Sequence, residues 1–171
     1  MKSITSICYS LYTPMKAVIM AGGFGTRLRP LTCNLPKPMV PMANRPMMEH
    51  IVDLLRKHNF TEALTMLYFS PEDILGYFKD GSKFGIEMSY LAPSGDLGTA
   101  GCVKFAEKQL DDTFIVLSAD VLTDFDLSAA IQFHKDKKAL ATMVLTRVPN
   151  PLQYGVVIID DENRITRFLE K

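Results

Sequence analysis

Short apolar runs alternating with stretches of helical periodicity constrain the fold of this chain more than any other feature of its sequence. Ala17 to Ala21 is an apolar run closed by Gly22-Gly23, the pattern of a buried strand entering a loop. Met47, Ile51, Leu54, Leu55 and His58 then recur at helical spacing, with Asn44 expected as the cap and Pro46 near the first turn. Ala63 to Phe69 reads as a second buried strand, and Pro71 opens a helix that stops before Asp80-Gly81. Ile86 to Leu91 alternates as a strand, and Val103, Ala106 and Leu110 mark a helix entered through Gly98-Thr99-Ala100-Gly101. Thr113 to Leu117 is the most apolar strand candidate, Leu127 to His134 a short helix, and Ala139–Val148, Gly155–Ile159 and Arg164–Leu169 are further strand candidates. Such alternation predicts an α/β fold, a Rossmann-like and mostly parallel sheet with helices on both faces. Ligands of such sheets bind beyond the carboxyl ends of the strands, which directs attention to the loops after Ala21 and after Leu117.

Composition excludes several other classes. The chain has 171 residues, 47% hydrophobic and 22% charged, which is globular composition and room for one domain or part of a larger one. Nineteen basic residues balance nineteen acidic ones, so no overall field recruits nucleic acid or an anionic membrane. Cys8, Cys33 and Cys102 are odd in number and far apart, which fits a reducing compartment and neither a zinc site nor a disulfide framework. No apolar run approaches the about 18 residues that a membrane-spanning helix needs. Thr5, Ser6 and Ser10 dilute the first residues and no small-residue cleavage site follows, so residues 1–14 read as an extension outside the fold and 15–171 as the domain.

The loop Gly22-Gly23-Phe24-Gly25-Thr26-Arg27-Leu28-Arg29-Pro30 carries the first chemical signal. Glycines directly after a strand free backbone N–H groups to wrap an anion, because no Cβ blocks the approach. Leu28 stands where a dinucleotide fingerprint needs its third glycine, and no Gly-Lys-Ser/Thr closes the loop as a P-loop would. Arg27 and Arg29 instead offer rigid forks matched to phosphate oxygens, although a glycine turn with solvated arginines would read the same way. Lys37 lies between Pro36 and Pro38, which stiffen the backbone around it, so it is either a fixed charge for a phosphate or an exposed lysine in a turn.

Taken together, GGFGTRLRPLT and PKPMVPMANRPMMEHIVDLL, from Met15 to Leu55, resemble the signature of the sugar-1-phosphate nucleotidylyltransferases. The resemblance continues in order through Asp80-Gly81-Ser82-Lys83-Phe84-Gly85, Leu97-Gly98-Thr99-Ala100-Gly101, Asp120-Val121-Leu122-Thr123-Asp124, Tyr154-Gly155-Val156 and Phe168-Leu169-Glu170-Lys171. It implies transfer of a nucleoside monophosphate from an NTP to a sugar 1-phosphate, with release of pyrophosphate. Arg27, Lys37 and Asp120 are then the catalytic group: Arg27 steadies the departing pyrophosphate, Lys37 neutralises the reacting phosphates and Asp120 holds Mg²⁺. By the same resemblance Ala21, Gly22, Gly23, Gly25, Thr26, Arg27, Gly98, Thr99 and Ala100 bind the nucleotide. Tyr154, Gly155 and Glu170 then face the sugar, and Lys171 its phosphate. The look of PKPM, NRPM and GTAG is closest to the guanylyltransferases that act on mannose 1-phosphate, with glucose 1-phosphate and another NTP as the alternative. The implied setting is cytoplasmic, with small-molecule partners and neither nucleic acid nor membrane, and with a homo-oligomer left open.

Two departures from the family pattern bear on the site. Ser118-Ala119 precede Asp120 where the family usually has glycine, and an alanine methyl there is expected to crowd the ligand or change which substrate fits. The family domain continues past the position of Lys171 with further strands and a second acidic metal ligand, so the 171 residues are expected to form its N-terminal part. A noncatalytic subunit that binds a nucleotide sugar is the competing class. An NAD-binding domain ranks below both because of the absent third glycine. His50, His58 and His134 lack metal-ligand spacing and are expected to be structural, as is Cys102.

Overall fold

A computed structural model describes residues 15–110, 112–150 and 154–169. Its contacts divide the chain into two compact units, Met1–Ser128 and Ala129–Lys171.

The first unit is built on a four-stranded sheet in the order β5-β4-β1-β6. Its strands are β1 (Ala17–Met20), β4 (Glu62–Met66), β5 (Glu87–Leu91) and β6 (Ile115–Ser118). Every pairing in it is parallel, with Val18 opposite Leu64 on one side and Val116 on the other. Innermost position explains why β1 is apolar throughout: Ala17, Val18 and Ile19 are fully buried, since both neighbours and both faces are covered. β5, at an edge, alternates instead, burying Met88 between the outward Glu87 and Ser89.

Helices cover the sheet because parallel strands require crossovers. On one face Val18, Leu64 and Met66 pack with Ala106, and Cys102 of α3 (Gly98–Phe105) joins them. By strand alternation Ala17, Ile19, Ala63 and Thr65 point to the other face, and all four are buried there. The apolar surface available to cover them belongs to α1 (Met47–Lys57) and α2 (Pro71–Phe78). Met48, Ile51, Val52 and Leu55 form the buried stripe of α1, while Ile74 and Phe78 form that of α2.

The region between β1 and α1 differs from expectation. Asn44 does not cap α1; it follows Ala43 in the two-residue turn of a short hairpin, β2 (Pro41–Met42) with β3 (Arg45–Pro46). Both turn residues have positive φ, 50° and 63°, as a two-residue hairpin turn demands, and Pro46 takes the N-cap position. Pro41 and Pro46 pair at the open end of this hairpin, where the missing N–H costs little.

The second unit holds most of α4 (Leu127–Lys137) and an antiparallel hairpin of β7 (Val156–Ile159) and β8 (Ile165–Leu169). Asp160 organises its turn, accepting the backbone N–H groups of Glu162 (3.0 Å) and Arg164 (2.8 Å). The stretch from 139 to 148, expected as a strand, forms no ladder among the described residues. Leu140, Met143, Val144 and Leu145 are exposed there, because an apolar run becomes a strand only where another strand meets its backbone groups.

Among the described residues, no helix is long and apolar enough to cross a membrane.

Candidate active site

The strand order reverses direction at β1: the chain steps to β4 and β5 on one side, then returns to add β6 on the other. A crevice opens at such a reversal, above the carboxyl ends of the strands. The first unit has a pocket of about 230 Å³ there, reached by the ends of β1 and β6 and by the loops after β1, β4 and β5.

Of the residues expected to bind or react, Ala21, Gly22, Gly23, Lys37, Gly98, Thr99 and Asp120 line this pocket. A Cβ on Gly22 would lie 3.0 Å from Cβ of Tyr68, so the chain passes close to its neighbour there. Gly25 shapes the loop from behind. Its φ of +62° is left-handed, and a Cβ there would lie 2.9 Å from Cβ of Lys37 and 3.0 Å from Cγ2 of Thr32. Thr32, 2% exposed, clamps this residue by donating its hydroxyl to the Gly25 carbonyl at 2.7 Å. The glycine loop is therefore seated directly on the segment that presents Lys37.

Lys37 Nζ donates to Oδ2 of Asp120 at 2.5 Å, and both side chains are about 30% exposed (27% and 31%). Two of the three ammonium hydrogens remain for another acceptor, since lysine carries three donors. Asp120 follows β6 after Ala119, whose N–H is held by the carbonyl of Met20 at 3.0 Å. The expected crowding by Ala119 is corrected by its placement: its methyl is fully buried, and Ser118 meets the pocket instead. Side chains alternate across a strand, so the residue next to Asp120 turns into the core.

Arg27 lies in a single 3₁₀ turn, Thr26–Leu28, with its side chain exposed. Gly25, Thr26, Arg27 and Ala100 are outside the pocket lining. Tyr154 and Gly155 precede β7 in the second unit and are exposed, while Glu170 and Lys171 lie outside the described residues. Of the histidines, His50 accepts Arg45 Nη2 at Nδ1 (3.1 Å) and donates from Nε2 to the Met42 carbonyl (2.9 Å), which bridges α1 and the β2–β3 hairpin.

Several pocket residues carried no functional signal in the sequence. Phe24 packs edge-on to Tyr68 and tilted against Phe69, with ring centres 5.6 and 5.4 Å away, so an aromatic cluster stiffens the tip of the loop. Cys102 faces the pocket from α3, and burial, with Asp96 nearby, pushes its thiol pKa up. Asp96 lines the pocket two residues ahead of α3 and accepts the Gly98 N–H at 2.9 Å. Its place just before GTAG was the available hint.

No three His, Cys, Asp or Glu side chains are grouped to hold a metal among the described residues. Asp120 does offer a hard oxygen donor at the pocket wall. One carboxylate suits Mg²⁺, which commonly takes one or two protein carboxylates and completes its shell with water and phosphate oxygens. The residues present therefore fit a magnesium ion that arrives with a phosphorylated ligand.

Residues 16–171 match the family model described as nucleotidyl transferase. A UTP–glucose-1-phosphate uridylyltransferase of Synechocystis sp. is 42% identical over 171 residues, an alignment covering 92% of this chain and 44% of that protein. A mannose-1-phosphate guanyltransferase of Debaryomyces hansenii is 42% identical over 163 residues, covering 92% and 45% respectively. The chain thus spans under half the length of these curated relatives. HddC from Yersinia pseudotuberculosis, solved with GMP-PN, shares the fold at a TM-score of 0.74 and 23% identity, covering 92% of this chain and 69% of its own.

Proposed function

Because the chain belongs to the nucleotidyl transferase family, we propose that it transfers a nucleoside monophosphate from an NTP to a sugar 1-phosphate and releases pyrophosphate. The observation that carries this reading is the Lys37–Asp120 pair beside the glycine loop in one pocket at the strand reversal. Both substrates are anions, so the reaction needs its charges neutralised and its partners aligned, and no covalent enzyme intermediate. A phosphate oxygen of the sugar 1-phosphate forms a bond to the α-phosphorus. The bond from that phosphorus to the α–β bridging oxygen breaks, and its electron pair leaves with pyrophosphate.

In this reading the N–H groups from Gly22 to Thr26 cradle the phosphates, and Lys37 directs its two remaining donors at them. Arg27, from its exposed turn, steadies the leaving pyrophosphate. Asp120 holds Mg²⁺, which when bound supplies positive charge against the phosphate oxygens. Gly98, Thr99 and Ala100 border the base, while Tyr154, Gly155, Glu170 and Lys171 serve the sugar 1-phosphate. GTP and mannose 1-phosphate are the favoured pair, supported by guanyltransferase relatives at up to 42% identity. UTP with glucose 1-phosphate is the second reading, supported by the equally similar uridylyltransferase. A cytoplasmic setting accompanies either pair.

The test is pyrophosphate release with Mg²⁺, each NTP crossed with mannose and glucose 1-phosphates, beside the Asp120→Asn protein. Release with one pair and its loss in the variant is the expected result. Release that persists in Asp120→Asn would overturn the assignment of Asp120. Nucleotide-sugar binding without turnover in either protein would favour a noncatalytic subunit.

A further inference from the structure

We infer that Asp96 selects the base of the nucleotide, and that the base it selects is guanine. The inference rests on the nucleotidyl-transfer reading above and adds the residue that decides which triphosphate enters.

Three charged side chains line the pocket: Lys37, Asp96 and Asp120. Lys37 and Asp120 neutralise each other beside the ends of β1 and β6. Asp96 has no cationic partner among the described residues. Its Oδ1 accepts the Gly98 N–H, and no donor among the described residues reaches Oδ2. Asp96 is solvent-exposed at the pocket wall; a carboxylate there repels phosphates and favours the part of a ligand that carries N–H groups.

Sheet order places it there. β5, whose loop carries Asp96, and β6, whose end carries Asp120, are the two outer strands, with β4 and β1 between them. Three strand spacings separate them, roughly 14 Å. The glycine loop and Lys37 fix the phosphates over β1 and β6. An extended nucleotide then runs across β4, over Leu67 and Tyr68, and brings its base to the loop after β5.

The bases differ in what they show a carboxylate. Guanine presents N1–H and the N2 amino group side by side, two donors that suit a carboxylate acceptor. Uracil has one N–H flanked by two carbonyl oxygens, which a carboxylate repels. Adenine and cytosine each set their amino group beside an unprotonated ring nitrogen, so neither offers two adjacent donors. Among the common triphosphates, only GTP satisfies the second oxygen of Asp96 without opposing lone pairs.

The test is equilibrium binding of GTP and of UTP, with Mg²⁺, to the wild-type chain and to Asp96→Asn, by calorimetry. The asparagine keeps an oxygen for the Gly98 N–H and replaces the second acceptor by a donor, so the turn survives while the chemistry facing the base reverses. The expected result is a fall in GTP affinity of about tenfold or more, with UTP affinity unchanged or higher. A purely structural role would weaken both nucleotides together and leave their ratio alone. An unchanged GTP-to-UTP ratio, or a wild-type chain that prefers UTP, overturns the proposal while nucleotide binding stands. Binding of neither nucleotide to the wild-type chain overturns the nucleotidyl-transfer reading itself, and this one with it.

Discussion

Lys37 Nζ and Asp120 Oδ2 meet at 2.5 Å although 83 residues separate them along the chain. One is fixed by a proline-flanked turn, the other by the end of an outer strand, and the parallel sheet brings both to the same edge. The carboxylate that suits Mg²⁺ is thus held by an ammonium. Lys37→Met removes that competitor. The Mn²⁺ affinity of the nucleotide-free chain, read by electron paramagnetic resonance, should rise by about tenfold, the equivalent of one lost charge interaction of roughly 1.4 kcal/mol. Asp120→Asn should abolish the added binding, and an affinity unmoved by Lys37→Met would show that the pair does not gate the metal.

The glycine loop is predicted to fail at Gly25 before it fails at Gly23. A side chain at Gly25 needs a left-handed backbone and space that Lys37 and Thr32 already fill, whereas nothing lies within 4 Å of a Cβ at Gly23. Gly25→Ala should cost about 2 kcal/mol or more of unfolding free energy, and Gly23→Ala well under that. Urea denaturation of the two variants side by side gives the comparison. Equal costs would mean that the loop relaxes freely.

Burial of Ile51 inside the stripe of α1 makes a second stability prediction. It is 1% exposed. Ile51→Ala removes buried methyl groups and leaves a cavity, with an expected cost of about 2–5 kcal/mol. A loss below about 1 kcal/mol in the same urea titration would mean that the surrounding core collapses to fill the space.

The two described thiols should react at very different rates. Cys33 is exposed, while Cys102 is partly buried against the sheet and its thiol pKa is raised by that burial. At pH 8 a smaller thiolate fraction and a narrower path both slow Cys102. Iodoacetamide labelling followed by peptide mass spectrometry should modify Cys33 first. Because Cys102 also lines the pocket, GTP should protect it further and leave Cys33 unaffected.

Acid should loosen the β7–β8 turn at its own pH. Hydrogen bonds from the Arg164 backbone and side chain are the main cause holding the Asp160 carboxyl below the usual value of 3.8. A depressed carboxylate contributes stability that is complete above the unfolded value and is lost as pH falls through the lower folded one. The window therefore lies below pH 3.8. Carbon-detected NMR of the Asp160 carboxyl should show a midpoint under that of an unstructured aspartate, and Arg164→Ala should move it upward.

Much of the sheet was legible because β1 and β4 are nearly continuous apolar runs, and such runs record burial on both faces. The pocket was legible through the rule that ligands sit past the carboxyl ends, applied to the loops of Gly22 and Asp120. Other features depend on partners that a single sequence does not display. The run from 139 to 148 carries strand chemistry without a ladder, and Pro41 and Pro46 conceal a hairpin that their ring geometry permits. Thr32 reads as one more loop threonine until its hydroxyl is seen on the Gly25 carbonyl. Asp96 is hidden most deeply. Its meaning comes from the order β5-β4-β1-β6, which sets it across the sheet from the Lys37–Asp120 pair.

That strand order also sets a timetable for biosynthesis. β1 is an inner strand, yet it is made first, at residues 17–20. One of its edges waits for β4 at 62–66, and the other for β6 at 115–118. Synthesis proceeds from the N-terminus, and distant pairings form slowly. Until β6 has been made, the growing polypeptide therefore carries an apolar strand with an open edge, the condition under which chains pair wrongly with one another. The glycine loop, which directly follows β1, matures only when the segment bearing Asp120 has emerged.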